Sequence, residues 1–395
     1  MTVYIYQAKR TPIGAFQGQL SPFQGFQLGA EAIKAVSVNG MDTIVDDVIM
    51  GCVLSAGQGQ APARQATRHA FKHDHIPATT INKVCGSGMQ AIMFACNAIQ
   101  TGQRRAVIAG GFESMTHAPY LLPKGRSGYR MGHGIVIDHM LFDGLEDAYD
   151  IDAGGTRRAM GIFADATAVH YHFTRDAQET FARETFDNYQ RAENDGAFIN
   201  ERTPLSHIDV KGNTTTITTD EPPSRVKPEK FAALRLAFSK DGTVTAATSS
   251  GIADGAAALL IGGDLKGQVP LARIAGFATH SCAPEWFTTA PIGAIQKLLA
   301  QLDWCISDVD LFEINEAFAV VPMAAAHELK IDRNRINVNG GACALGHPIG
   351  TSGARIVVTL IHALKTRGLK RGIATTCIGG GEATAIAVEM CTVMP

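Results

Sequence analysis

Two stretches far apart in the chain follow one local plan, and this repetition limits the fold more than any single motif does. After Lys83-Val-Cys-Gly-Ser-Gly88, the apolar residues Met89, Ile92, Met93, Cys96 and Ile99 recur at helical spacing. Gly102 ends that helix, and Arg104-Arg-Ala-Val-Ile-Ala-Gly-Gly111 enters a strand. Gly353–Leu364 repeats the pattern with Ile356, Val357, Leu360, Ile361 and Leu364. Gly368 stops it, and Lys370-Arg-Gly-Ile-Ala-Thr-Thr-Cys377 runs into Gly379-Gly-Gly381. Helix, glycine stop, basic pair, apolar strand and glycine turn thus recur in the same order. The pattern predicts two similar α/β halves in one pseudo-symmetric core, with the site between them. Further strand candidates at Val3–Gln7, Asp47–Val53 and Ala106–Ala109 alternate with helical patterns and predict a layered α/β fold with a mostly parallel sheet.

The texture changes between the halves. Residues 116–249 hold Pro119, Pro123, Lys124-Gly-Arg-Ser-Gly-Tyr-Arg-Met-Gly132, a charged helical stretch from about Thr174 to Asn194, and Asp220-Glu-Pro-Pro-Ser-Arg225. Such a segment reads as an inserted loop domain with helices of its own. Ser249–Ile261 returns to small and apolar residues. The expected division is therefore 1–115 with 250–269 as the first half, 116–249 as the insertion, and 270–395 as the second half.

The chain is 46% hydrophobic and 18% charged, long enough to bury large cores. A net charge of −2 argues against nucleic-acid or membrane-surface partners. The eight cysteines form no CxxC pair and match no zinc spacing, so neither a metal nor a disulfide framework is expected. No apolar run is long enough to span a membrane, the N-terminus lacks a signal-peptide core, and Thr392-Val-Met-Pro395 is not a peroxisomal Ser-Lys-Leu address. A cytoplasmic protein in a reducing compartment is expected.

Three residues beside glycines carry the chemistry. Cys85 lies between a strand end at Val84 and the helix opened by Gly86-Ser-Gly88, where the helix N-terminus is expected to lower the thiol pKa and favour the nucleophilic thiolate. Cys96, on the apolar face of that helix, reads as core packing. The hydrolase nucleophile-elbow pattern fails because Lys83 stands where it needs glycine. His347, in Gly346-His-Pro-Ile-Gly350, can take a thiol proton near neutral pH. Cys377 ends a strand before three glycines, whose N–H groups can converge on an oxyanion. Read alone, Cys377 is as well suited to packing as to chemistry, and Asn315, at a strand end before an apolar helix, is equally suited to capping. Gly57-Gln-Gly-Gln-Ala61 is followed at once by Pro62 and lacks the acidic partner of a dinucleotide site.

The motifs Val84-Cys-Gly-Ser-Gly88, Gly110-Gly-Phe-Glu-Ser-Met115, Asn315-Glu-Ala-Phe318, Gly346-His-Pro-Ile-Gly350 and Cys377-Ile-Gly-Gly-Gly381 occur in an order that resembles the thiolase family over nearly the whole chain. The resemblance implies a five-layered αβαβα core of two duplicated halves plus a loop domain, assembled as a dimer or tetramer. It implies acetyl-CoA C-acetyltransferase activity, in which two acetyl-CoA interconvert with acetoacetyl-CoA and CoA. The alternatives are a 3-ketoacyl-CoA thiolase for longer chains and, from another class, a non-catalytic acyl-CoA- or lipid-binding protein on the same fold. A ketosynthase for carrier-protein substrates would be expected to have histidine in place of Asn315.

By resemblance, Cys85 carries the acyl group, and His347 activates it and holds the second thioester oxygen. Cys377 is the general acid/base, and Asn315 positions a water in the first oxyanion hole. The N–H groups of Cys85 and Gly379 form the second hole. Coenzyme A contacts fall on Met160, Phe238, Ala246, Ser250, Gly251, Ala317 and Phe318, with Arg225 toward the nucleotide phosphates. No cofactor is implied beyond the coenzyme A thioesters themselves. The chain departs from the family pattern at Ala159, where short-chain members have histidine, at Ala246-Ala-Thr-Ser-Ser-Gly251, at Cys343 and at Ile151–Thr156. These departures bear on the coenzyme A and acyl pocket and so on chain-length preference.

Overall fold

The computed structural model describes residues 1–37, 41–71, 73–151 and 155–391. Residues 152–154, within the Ile151–Thr156 departure, and the C-terminal 392–395 lie outside the described residues.

The strand Ala106–Ser114 pairs antiparallel with Ala253–Gly262, and both are buried along their whole length. A strand covered on both faces sends alternate side chains to different cores. Val107 and Ala109, with Leu259 and Ile261, point to the centre of the molecule, whereas Ile108 and Phe112, with Ala258 and Leu260, point outward. The inner core is filled by the helices Ser87–Gln100 and Ile349–Arg367, which pack against each other between the two halves of the sheet. The helices Gly25–Val36 and Pro62–Ala70 cover the outer face of the first half, and Ala290–Leu302 covers that of the second. The five layers follow from this: helices, sheet, central helices, sheet, helices.

The halves join at one sheet edge. Ala272–Ser281 pairs with Glu382–Met390, and its first residues also pair with Tyr4 and Ile5, so the two half-sheets form one path of strands. The expectation of a mostly parallel sheet is corrected: among the strands of the described residues, Leu311–Ile314 with Arg371–Ile378, and Asp47–Gly51 with its two neighbours, run parallel, and the other pairs of the large sheet run antiparallel. The reason is local. Gly380 and Gly381 adopt φ of 93° and 84°, which turns Arg371–Ile378 straight back into Glu382–Met390 as a hairpin. The duplicated glycine stops Gly102 and Gly368 both adopt positive φ, 76° and 64°, as helix-ending residues. The helical stretch near 174–194 is Arg175–Asn194, with the Thr174 hydroxyl accepting from Ala177 N–H. Among the described residues no helix is long and apolar enough to cross a membrane.

The 193–220 region is fastened to the first strand by a buried ion cluster. Arg10 Nε donates to Glu201 at 2.6 Å, and its two terminal nitrogens donate to Asp220 at 2.7 and 3.0 Å. All three side chains are fully buried, and Arg202 adds a second cation on Asp220 at 3.0 Å. Removing one partner of such a cluster leaves uncompensated charge in a low-dielectric interior. Arg10→Met is therefore expected to destabilise the protein by about 3–5 kcal/mol, read as a lowered denaturant midpoint. A midpoint unchanged from wild type would show that the cluster contributes no net stability.

Candidate active site

Cys85 stands on a turn between the strand Ala78–Ile81 and the helix Ser87–Gln100. The strand ends three residues before Val84, not at Val84 as expected, because Val84 itself is in the left-handed region at φ 45°. A β-branched residue there is strained by about 1–3 kcal/mol. The turn is held by Ser87, whose hydroxyl accepts from Lys83 N–H at 2.8 Å and donates to Val84 O at 2.7 Å. Strain and bonds together present the thiol to a cavity of about 500 Å³.

The expected lowering of the Cys85 pKa is also corrected. Burial pushes the thiol up to about 11, outweighing the N–H groups of Gly379 and Cys85 that point at the sulfur. Cys85 precedes the helix by two residues, so the dipole acts weakly while desolvation acts in full. Cys377 is buried at the end of Arg371–Ile378, and its thiol is raised first by burial and then by the neighbouring Cys85. The two sulfurs therefore lie close enough to act on each other.

His347 immediately precedes the helix Ile349–Arg367, and Pro348 is its N-cap residue. Its N–H donates to Gly251 O at 2.9 Å. The Ser352 hydroxyl lies 3.0 Å from Pro348 O, to which it can donate, and 2.5 Å from His347 Nδ1. An Nδ1–H donating to Ser352 leaves the Nε2 lone pair free to take a proton. Burial first, and the Arg355 charge second, lower the histidine pKa to about 3. Asn315 Nδ2 reaches Nε2 at 3.4 Å, and Asn315 Oδ1 is buried without a hydrogen-bond partner among the described residues. Asn315 is held at the end of Leu311–Ile314, where its own N–H donates to Thr375 O.

Of the residues singled out from sequence, Cys85, His347, Gly379, Met160, Phe238, Ala246, Ser250, Gly251, Ala317 and Phe318 all line the cavity. Cys377 and Asn315 are buried, and they act on the cavity-lining Cys85 and His347 respectively. Ser250 N–H donates to Ala317 O at 3.0 Å, so one ribbon links Ala317, Ser250–Gly251 and His347. Phe238 and Phe318 meet edge to face at 5.8 Å. Arg225 is not brought to the cavity; its guanidinium is half exposed and pairs with Glu221 at 2.5 Å. Leu141, Leu145 and Tyr149 form a further wall that sequence reasoning missed, since the one-turn helix Leu141–Leu145 and the strand Glu146–Ile151 are too short to show a period. Ser352 was missed as well, because it lies one helical turn beyond the motif it orients. Ala159, one of the departures, faces the cavity directly. Among the described residues no group of three or more His, Cys, Asp or Glu side chains could hold a metal.

Two cysteines beside a neutral histidine, with backbone N–H groups aimed at one of them, suit acyl transfer through a thioester. The family model described as thiolase, N-terminal domain, matches residues 3–263, and that for thiolase, C-terminal domain, matches residues 268–390. The chain belongs to the thiolase family. This thiolase is 44% identical over 398 residues to a protein of Chromobacterium violaceum named acetyl-CoA acetyltransferase, covering 98% of this chain and 100% of that one. Its fold matches the crystal structure of Acat5 thiolase from Ascaris suum in complex with coenzyme A, with a TM-score of 0.91 at 40% identity, over 99% of this chain and 100% of the other. It also matches the Bacillus anthracis acetyl-CoA acetyltransferase, with a TM-score of 0.94 at 38% identity over 99% of both chains. As a thiolase, the protein is an acyltransferase.

Proposed function

We propose that this thiolase is an acetyl-CoA C-acetyltransferase, interconverting two acetyl-CoA with acetoacetyl-CoA and free CoA. The observation that carries the reading is that Cys85, with two N–H donors at its sulfur, and His347, with Ser352 at its Nδ1, line one cavity. In the first half-reaction Nε2 takes the Cys85 proton as sulfur attacks the acetyl carbon. A new C–S bond forms, the bond to CoA breaks, and the leaving thiolate recovers a proton. With the thiol near 11 and the imidazole near 3, proton transfer and attack proceed together rather than through a resting thiolate–imidazolium pair.

In the second half-reaction Cys377, left as a thiolate once its thiol has given its proton to the departing CoA, takes the α-proton of another acetyl-CoA; the resulting carbanion displaces Cys85 from its thioester, and Cys85 recovers its proton from His347. Asn315, with its unpartnered Oδ1, is suited to hold a water beside the first oxyanion. The N–H groups of Cys85 and Gly379 stabilise the second. Met160, Phe238, Ala246, Ser250, Gly251, Ala317 and Phe318 hold the pantetheine arm, and Arg225 meets the phosphates outside the cavity. The three-part division of the chain given above, a cytoplasmic location and a homo-oligomeric state belong to the same proposal. The open sheet edge at Ala78–Ile81 supports an assembly that pairs it with another copy.

Intact-protein mass measurement after incubation with acetyl-CoA tests the reading. One acetyl adduct mapping to Cys85 is expected; no adduct under thioester-trapping conditions would falsify it and favour a binding protein. The second reading, a preference for longer 3-ketoacyl chains, is favoured by the apolar wall of Leu141, Leu145 and Tyr149. The ratio of kcat/KM for C4 and C10 3-ketoacyl-CoA separates the two.

A further inference from the structure

Glu113, on the strand Ala106–Ser114, is a fully buried carboxylate that the acyl-transfer scheme leaves without a part. Its Oε2 accepts from Val53 N–H at 3.0 Å and from Gly350 N–H at 2.9 Å. Its Oε1 accepts from Leu54 N–H at 3.1 Å and from the Cys52 thiol at 3.7 Å. Gly350 lies three residues after His347, in the first turn of the helix that His347 precedes. A Cβ on Gly350 would come within 2.8 Å of Glu113 Oε2, so the close approach needs glycine. Val53, Leu54 and Ile349 pack together against Val84 and Cys85. One carboxylate thus ties the histidine turn to the apolar layer beneath the nucleophile.

All four neighbours are donors. An ionised carboxylate satisfies every one of them, whereas a protonated carboxyl would have an O–H with no acceptor. The influences that act on it most strongly include no cation, and Glu113 in turn raises the Cys85 thiol. We propose that Glu113 is a positioning residue for acyl transfer: its buried carboxylate locks the His347–Gly350 turn to Val53–Leu54 and sets a negative charge behind Cys85. The other titratable groups facing this pair are Cys52 beside Glu113, Cys377 behind Cys85, and His347, on which Arg355 acts from the central helix. Burial pushes the Glu113 carboxyl up to about 7, so its charge is complete only in mildly alkaline solution and above. The inference rests on Cys85 being the nucleophile.

The test is the pH dependence of Cys85 alkylation by iodoacetamide, followed by intact mass between about pH 8 and 11, where Glu113 is ionised and the thiol is titrating. In Glu113→Gln the alkylation profile is expected to move about one pH unit lower than wild type. Its kcat is expected to fall about 10²-fold, with KM for acetyl-CoA unchanged. Glu113→Asp keeps the charge but shortens the reach, so its alkylation profile should follow wild type while kcat falls. A Gln variant with wild-type alkylation overturns the inference even if kcat drops, because a merely structural loss leaves the thiol untouched. If the Gln variant does not fold, the Asp variant decides, and a wild-type kcat there overturns the inference. Wild-type protein that takes no acetyl from acetyl-CoA removes the premise; acetylated wild type with coincident alkylation profiles removes this inference alone.

Discussion

Cys85→Ala is expected to lower turnover in both directions by about 10⁶-fold, the scale lost when a covalent nucleophile is removed from an otherwise intact site. Among the described residues Cys85 is the one cysteine that lines the cavity, and Cys377, Cys52 and Cys96 are buried. The substitution leaves the backbone N–H groups of residues 85 and 379 where they are, so coenzyme A thioesters should still bind with little change in KM. It should also leave the fold intact, since alanine fits where a thiol did and the strain of the turn resides in Val84. Thiolysis of acetoacetyl-CoA, followed with a thermal melt of the same preparation, measures both. Turnover within tenfold of wild type, in a folded variant, would mean that acyl transfer does not pass through Cys85.

The parts of this site that could be read from sequence are those carried by short segments. Helical spacing after Met89 and after Gly353 located the two central helices, and the glycine stops at Gly102 and Gly368 marked their ends because positive φ has a residue signature. The change of texture over residues 116–249 is visible in the sequence, whereas the strand pairing is not. Whether a strand runs parallel or antiparallel depends on partners hundreds of positions away, such as Tyr4 with Arg273. The Cys85 pKa departs from the sequence expectation for a related reason. A helix N-terminus is visible in sequence, but the burial that opposes it is a property of the assembled core. Glu113 shows no role within Gly110–Met115 alone, because its partners Val53, Leu54 and Gly350 come from two other segments. The Arg10 cluster was invisible for the same reason: its anions lie at positions 201 and 220.

His347→Asn should cost about 10⁴-fold in kcat, the upper range for loss of a general base. Asparagine can still donate a hydrogen bond toward a thioester oxygen, but it cannot take the proton that must leave Cys85 as sulfur attacks. With Nδ1 engaged by Ser352, Nε2 is the ring nitrogen to which the mechanism assigns the proton. After accepting the proton, the same atom becomes a donor, which suits it to hold the second thioester oxygen. The variant also separates catalysis from stability. The folded site holds the imidazole pKa near 3, below the ordinary 6.5 of the unfolded chain. Between about pH 6.5 and 3 the unfolded chain therefore binds a proton that the folded site refuses, and His347 makes the protein progressively less stable as pH falls through that window. Asparagine removes this penalty. The denaturant midpoint of His347→Asn should fall less than that of wild type between pH 7 and pH 4.5, while its turnover stays low at both. Parallel falls in the two midpoints would show that the imidazole is not held neutral by burial, and the base assignment would lose its electrostatic footing.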